Sequence, residues 1–142
     1  MRTEMRLSMM RLAAVRAGVI FCVATAALLG TTLPAVAEYG AVAYDQTMRK
    51  QGVAWSEDTQ QRANQLAMRE CGSEQCKVRF GVPPGMCGAF ATPDAGPAWG
   101  GAVRKSLDDA RFAAMQNCQK NAKRKCTLRE NKCTKQAKAV AA

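Results

Sequence analysis

The residues of this chain able to do chemistry are its cysteines, two pairs of neighbouring carboxylates and one dense run of lysine and arginine. Six cysteines (Cys71, Cys76, Cys87, Cys118, Cys126 and Cys133) follow the N-terminal region, and a seventh, Cys22, lies inside an apolar run. The carboxylate pairs are Glu57/Asp58 and Asp108/Asp109. Histidine is absent, which excludes the commonest general base and the Ser-His and Cys-His nucleophile pairs. Adjacent carboxylates in a helix point apart, and both pairs fall at expected helix starts, where negative charge is favourable in itself. No glycine-rich phosphate loop is present. Trp55 and Trp99 sit at expected strand ends, where packing is a commoner use of an aromatic ring than lining a sugar or peptide site.

Metal is the rival use of the cysteines. Zinc favours tight C-x₂-C pairs, often with histidine, whereas the spacings here run C-x₄-C, C-x₇-C and C-x₆-C. The C-x-x-C redox arrangement is absent as well. Structural disulfides are therefore expected.

The compartment argument agrees. Arg2, Arg6, Arg11 and Arg16 precede an apolar run from Ala17 to Leu29, and Pro34-Ala35-Val36-Ala37 offers small residues before a cut after Ala37. This is the layout of a secretory signal peptide over residues 1–37, with an apolar core short of the roughly 20 residues a spanning helix needs. Cys22 leaves with the leader. The remaining six cysteines form an even set in an exported chain, the usual mark of a disulfide framework. Secretion or a periplasmic location is expected.

The exported part, residues 38–142, carries seventeen basic and ten acidic residues, but the excess is local. Residues 38–117 hold nine of each sign. From Cys118 onward eight basic residues face Glu130 alone. Lys120, Lys123, Arg124, Lys125, Arg129 and Lys132 are thus a candidate anion-binding patch. No aromatics are interleaved with them, which argues against base stacking, and export removes intracellular nucleic acid as a partner.

The elements that must position these groups are written twice. Thr59 to Cys71 and Ser106 to Cys118 share an offset of 47, matching Thr59 with Ser106, Ala63 with Ala110, Ala67 with Ala114 and Met68 with Met115. Tyr39-Gly40-Ala41-Val42-Ala43 matches Cys87-Gly88-Ala89-Phe90-Ala91. Each half reads as strand, strand, helix, strand, over residues 39–86 and 87–133. Thr59 and Ser106 are the expected N-caps and Gly72 a left-handed stop. Phe112 and Met115 are expected on the apolar side of the second helix. Two such units suggest an α+β domain over residues 38–133, with one antiparallel sheet and both helices on one face. The last strand, Thr127 to Arg129, is short and polar, and residues 134–142 read as a basic flexible tail.

Six cysteines allow fifteen pairings. If equivalent cysteines play equivalent parts, the simplest solution is Cys71–Cys76, Cys118–Cys126 and Cys87–Cys133, with the last expected to tie the halves together.

The order Y-G-A-[VI]-A, an alanine-rich capped helix ending in Cys-Gly, C-x-V, then C-G-A-[FL]-A resembles the domain of unknown function 4189 family from Tyr39 to about Cys133. "CGAFA" is the most distinctive piece. The resemblance implies export, a compact disulfide-bonded α+β domain and no catalytic residues to carry over. The insertion "KNAKR" and the polar "TLREN" depart from the family pattern. The expected function is an exported, non-enzymatic envelope or secreted module that binds another macromolecule, such as a protein it inhibits or neutralises. The alternatives are a small cell-wall-active hydrolase using its carboxylates, and an electrostatic binder of anionic polymer or membrane surface. No cofactor or metal is expected, no transmembrane segment after signal cleavage, and the chain is expected to be a monomer.

Overall fold

Alternation along the first strand sets the architecture. A computed structural model describes residues 35–138; the signal-peptide reading for residues 1–34 and the last four residues of the expected tail lie outside them. Strand β1 (Tyr39–Asp45) is buried on both faces over nearly its whole length. Ala41 and Ala43 point one way, onto helix α1 (Gln60–Cys71), where they meet Ala63, Ala67 and Cys71. Val42 and Tyr44 point the other way and meet Phe90. Period-two alternation therefore places one row under a helix and the next row against another layer.

That other layer is a second sheet. Strands β2 (Lys50–Glu57) and β3 (Lys77–Val82) flank β1 in the order β2-β1-β3, all antiparallel. Strands β4 (Cys87–Pro93), β5 (Gly100–Arg104) and β6 (Cys126–Cys133) make a second sheet in the order β5-β4-β6. In β4, Ala89 and Ala91 lie under helix α2 (Leu107–Asn121) with Ala110, Ala114 and Cys118, while Phe90 turns to Tyr44. The layers run helix, sheet, sheet, helix. This corrects the expected single sheet with both helices on one face. Such a sheet would leave Val42, Tyr44 and Phe90 in water, and burying them against one another is what brings the two sheets face to face.

Each helix sits close on its own sheet. A Cβ on Gly52 would collide with the backbone of Ala67 and Cys71, and one on Gly100 with the backbone of Ala114 and Cys118. Thr59 accepts the Arg62 amide and Ser106 the Asp109 amide as N-caps, and Gly72 ends α1 at φ 65°. Phe112, expected on the apolar side, is 66% exposed. The buried line of α2 runs through Ala110, Ala114 and Cys118, and a residue two positions past Ala110 faces away from it.

The three disulfides join Cys71 to Cys76, Cys118 to Cys126 and Cys87 to Cys133. Cys87 and Cys133 are register partners on β4 and β6, so that bond closes the second sheet and does not tie the halves together. No disulfide among the described residues crosses between the sheets. Strand β6 is also longer than expected, eight residues with a cysteine at each end. It is an edge strand of its sheet, and its backbone pairs along β4.

The start of the expected flexible tail is held. Thr134 is 6% exposed, and its hydroxyl donates to the carbonyls of Pro83 (2.6 Å) and Met86 (3.1 Å). The Glu38 amide donates to the Lys135 carbonyl at 2.9 Å, clipping the two ends of the domain to each other. Among the described residues no helix is long and apolar enough to cross a membrane.

Candidate functional site

The basic residues named from the sequence separate into two places. Lys120 stands in the last turn of α2, where a cation complements the unpaired carbonyls. Lys123, Arg124 and Lys125 follow in the loop closed by the Cys118–Cys126 bond, and all are exposed. Gln119 pins this loop from inside. Its amide nitrogen donates to the Arg124 carbonyl and its oxygen accepts the Cys126 amide, both at 3.2 Å. The backbone is therefore held while the cations project into water. Among the described residues none of these four cations has an acidic partner within 4.0 Å. The corresponding loop of the first half, closed by Cys71–Cys76, is shorter and carries Glu74 as its charge. Lys132, on β6, is exposed and apart from the loop.

Arg129 belongs elsewhere. In the β4–β6 ladder Phe90 pairs with Glu130 and Ala91 with Leu128, leaving Arg129 as the extra residue of a bulge. Bulges re-aim side chains. The Arg129 Nε donates to Thr92 Oγ1 at 2.9 Å, and its Nη2 lies 3.9 Å from Asp94 Oδ1. Facing it across the sheets is Arg49, from the turn between β1 and β2. The Arg49 guanidinium donates to the carbonyls of Pro93 (2.6 Å) and Asp94 (2.7 Å). Its backbone has φ 56°, a left-handed value at which glycine or asparagine is more at ease. Asp45 shapes that turn by accepting the amides of Thr47 and Met48 and the hydroxyl of Ser73.

Tyr44, Arg49, Gln51, Thr92 and Arg129 line a cavity of about 340 Å³ between the sheets. Tyr44 is 1% exposed, and its hydroxyl has no hydrogen-bond partner among the described residues. Of these five, only Arg129 was legible as a site residue. The others carry no local signal, because Arg49 and Arg129 are about eighty residues apart and meet only when the sheets pack.

The carboxylates do not converge. Glu57 and Asp58 face Arg62 at 3.7 and 3.4 Å, and Asp108 faces Arg111 at 3.2 Å. Asp109 accepts the Ser106 hydroxyl at 2.6 Å in the first turn of α2. These are helix-start arrangements. Burial pushes the Glu38 carboxyl up, but the hydrogen bonds and charge of Lys135 outweigh it and hold the group below its ordinary range. A larger cavity, about 570 Å³, is lined by Ala35, Val36, Ala37, Glu38, Asp58 and Lys135 among others. Cleavage after Ala37 would remove three of its walls. Among the described residues no three acidic or cysteine side chains gather as a metal set, and the six cysteines there are bonded in pairs.

Residues 39–133 match a family profile described as a domain of unknown function, DUF4189. The chain belongs to the DUF4189 family. The matched span covers both sheets, both helices and all three disulfides. Similar sequence occurs in the uncharacterized protein Rv1813c of Mycobacterium tuberculosis and the uncharacterized protein Mb1843c of Mycobacterium bovis. Each is 39% identical over 66 residues, which is 45% of this chain and 43% of the relative. The chain thus matches less than half the length of these curated relatives. The NMR structure of Rv1813c shares 26% identity at a TM-score of 0.48, covering 87% of this chain and 98% of that one.

Proposed function

We propose that the chain is an exported, non-enzymatic binding module, a duplicated strand-strand-helix-strand unit whose second copy presents a basic loop to an anionic macromolecule of the cell envelope. The observation that carries this reading is the loop at Lys123, Arg124 and Lys125. It is closed by a disulfide, braced by Gln119 and exposed without ion-pair partners among the described residues. A loop backbone held in advance has little freedom left to lose on meeting a polyanion, so more of the Coulomb attraction remains as affinity. Three disulfides suit an oxidising compartment. The parallel helix caps and the glycines beneath each helix favour the duplication, and the separated carboxylates favour binding over hydrolysis.

Replacing Lys123, Arg124 and Lys125 with glutamine tests it. The variant is expected to elute from a sulfated-polysaccharide column at clearly lower salt than the parent, with an unchanged melting temperature. Unchanged retention overturns the reading. Peptidoglycan hydrolysis by the parent that disappears in an Asp108→Asn, Asp109→Asn double variant would establish the hydrolase instead.

A further inference from the structure

We propose that the cavity between the sheets is a binding site for one tetrahedral oxyanion, a phosphate or sulfate group, held between Arg49 and Arg129 with the Tyr44 hydroxyl as a further donor. The inference stands apart from the loop reading, since no loop residue lines this cavity.

The donors are present and unspent. A guanidinium has five N–H groups. Arg129 commits one to Thr92, and Arg49 commits two to the Pro93 and Asp94 carbonyls. Those bonds fix both side chains and leave N–H groups on each for a ligand. The opposing carboxylate, Asp94, is 67% exposed and 3.9 Å from Arg129, a loose contact that an incoming anion can displace. Two arginines against one aspartate leave the site net positive. The volume of about 340 Å³ falls at the small end of ligand sites, which run from roughly 300 Å³ upward.

The Tyr44 hydroxyl points to a ligand independently. A buried hydroxyl without a partner loses its hydration and gains nothing in return, and native folds seldom keep one without a use. The same sheets also contain a filled counterpart. Arg79 is the extra residue of the β1–β3 bulge, as Arg129 is of the β4–β6 bulge. Arg79 donates to the Tyr44 carbonyl and to Gln46, and its guanidinium lies 5.2 Å from the centre of the Trp99 ring. Trp99 immediately precedes β5, whose Gly100 pairs with Ala91, while Gln51 pairs with Tyr44 in the other sheet. Where the indole fills one site, the smaller Gln51 leaves the other open, with its arginine uncovered.

Donors on three separate side chains suit a tetrahedral anion better than a planar carboxylate, which one arginine fork satisfies. The test titrates inorganic phosphate, sulfate and acetate into the oxidised chain recovered after export, followed by NMR shifts and by melting temperature. A saturable response to phosphate or sulfate is expected, and whichever binds tighter names the source group. Acetate should bind about tenfold weaker or less, and Arg49→Ala or Arg129→Ala should each weaken phosphate binding by about tenfold or more. Tyr44→Phe should weaken binding about threefold, yet melt at or above the parent without ligand, because it removes only an orphan hydroxyl. That variant decides the matter if either alanine variant fails to fold. Binding unchanged in Tyr44→Phe, acetate equal to phosphate, no saturable response, or loss of binding in the Lys123/Arg124/Lys125 variant instead would overturn the proposal.

Discussion

Arg79, on β3, lies with its guanidinium 5.2 Å from the ring centre of Trp99, the residue just before β5. Trp99 also stacks on Phe90 at 6.1 Å, and Phe90 meets Tyr44 edge-on at 5.2 Å. This chain of aromatic contacts, with Val42 and Phe80 beside it, is the main bond between halves that share no disulfide. Truncating Trp99 to alanine is therefore expected to destabilise the domain by about 2–3 kcal/mol, through lost burial and the lost cation–π contact. Trp99→Phe should recover most of it. Urea unfolding at neutral pH measures both, and an unchanged midpoint for the alanine variant would contradict this account of the interface.

Gly52 and Gly100 should resist any side chain. At both places the obstacle is helix backbone, which cannot rotate aside as a side chain can. Alanine at either position should cost about 3 kcal/mol by forcing a helix off its sheet. At Gly101 the obstacle is the ring of Phe80, so alanine there should cost less. Melting temperatures of the three variants give the ranking.

The disulfides should differ in weight. Loop-closure entropy gives about 2 kcal/mol for each short bridge and about 4 kcal/mol for Cys87–Cys133, whose partners are 46 residues apart. Serine pairs replacing each bridge should follow that order on thermal unfolding. Cyanogen bromide cleavage without reductant should release residues 69–86 as a separate, internally bridged peptide, since Met68 and Met86 bound the Cys71–Cys76 loop. Recovery of that peptide joined to Cys118 would refute the pairing.

Asp45 should make stability fall in acid. It is fully buried, and the Ser73 hydroxyl with the Met48 and Thr47 amides holds its carboxyl below the ordinary value of 3.8, although burial pushes the other way. A lowered folded value means the unfolded chain takes up the proton first as pH falls. The contribution is therefore whole above about 3.8 and is lost as pH drops through the lower folded value. Unfolding free energy followed from pH 5 to pH 2 should decline more steeply for the parent than for Asp45→Asn.

What could be read along the chain was what local chemistry decides. The caps at Thr59 and Ser106, the stop at Gly72, the alanine faces of both helices and the strand periods are each set by neighbours within a few residues. An α+β class and a disulfide framework followed from those elements and from an even cysteine count in a chain with an export leader's residue pattern. The basic loop was legible for the same reason, because its charges are contiguous.

Tertiary structure decided which surface covers which. The row of Val42, Tyr44 and Phe90 needs a partner layer, but alternation alone does not say whether a helix, a second sheet or water covers it. Facing the sheets settles that, and it confines Cys87–Cys133 to one sheet. It also moves Arg129 from the basic run to a cavity shared with Arg49 and Tyr44. Their meeting depends on two bulge and turn geometries in separate sheets. The sequence holds those residues far apart, and only the burial of apolar surface between the sheets brings them within reach.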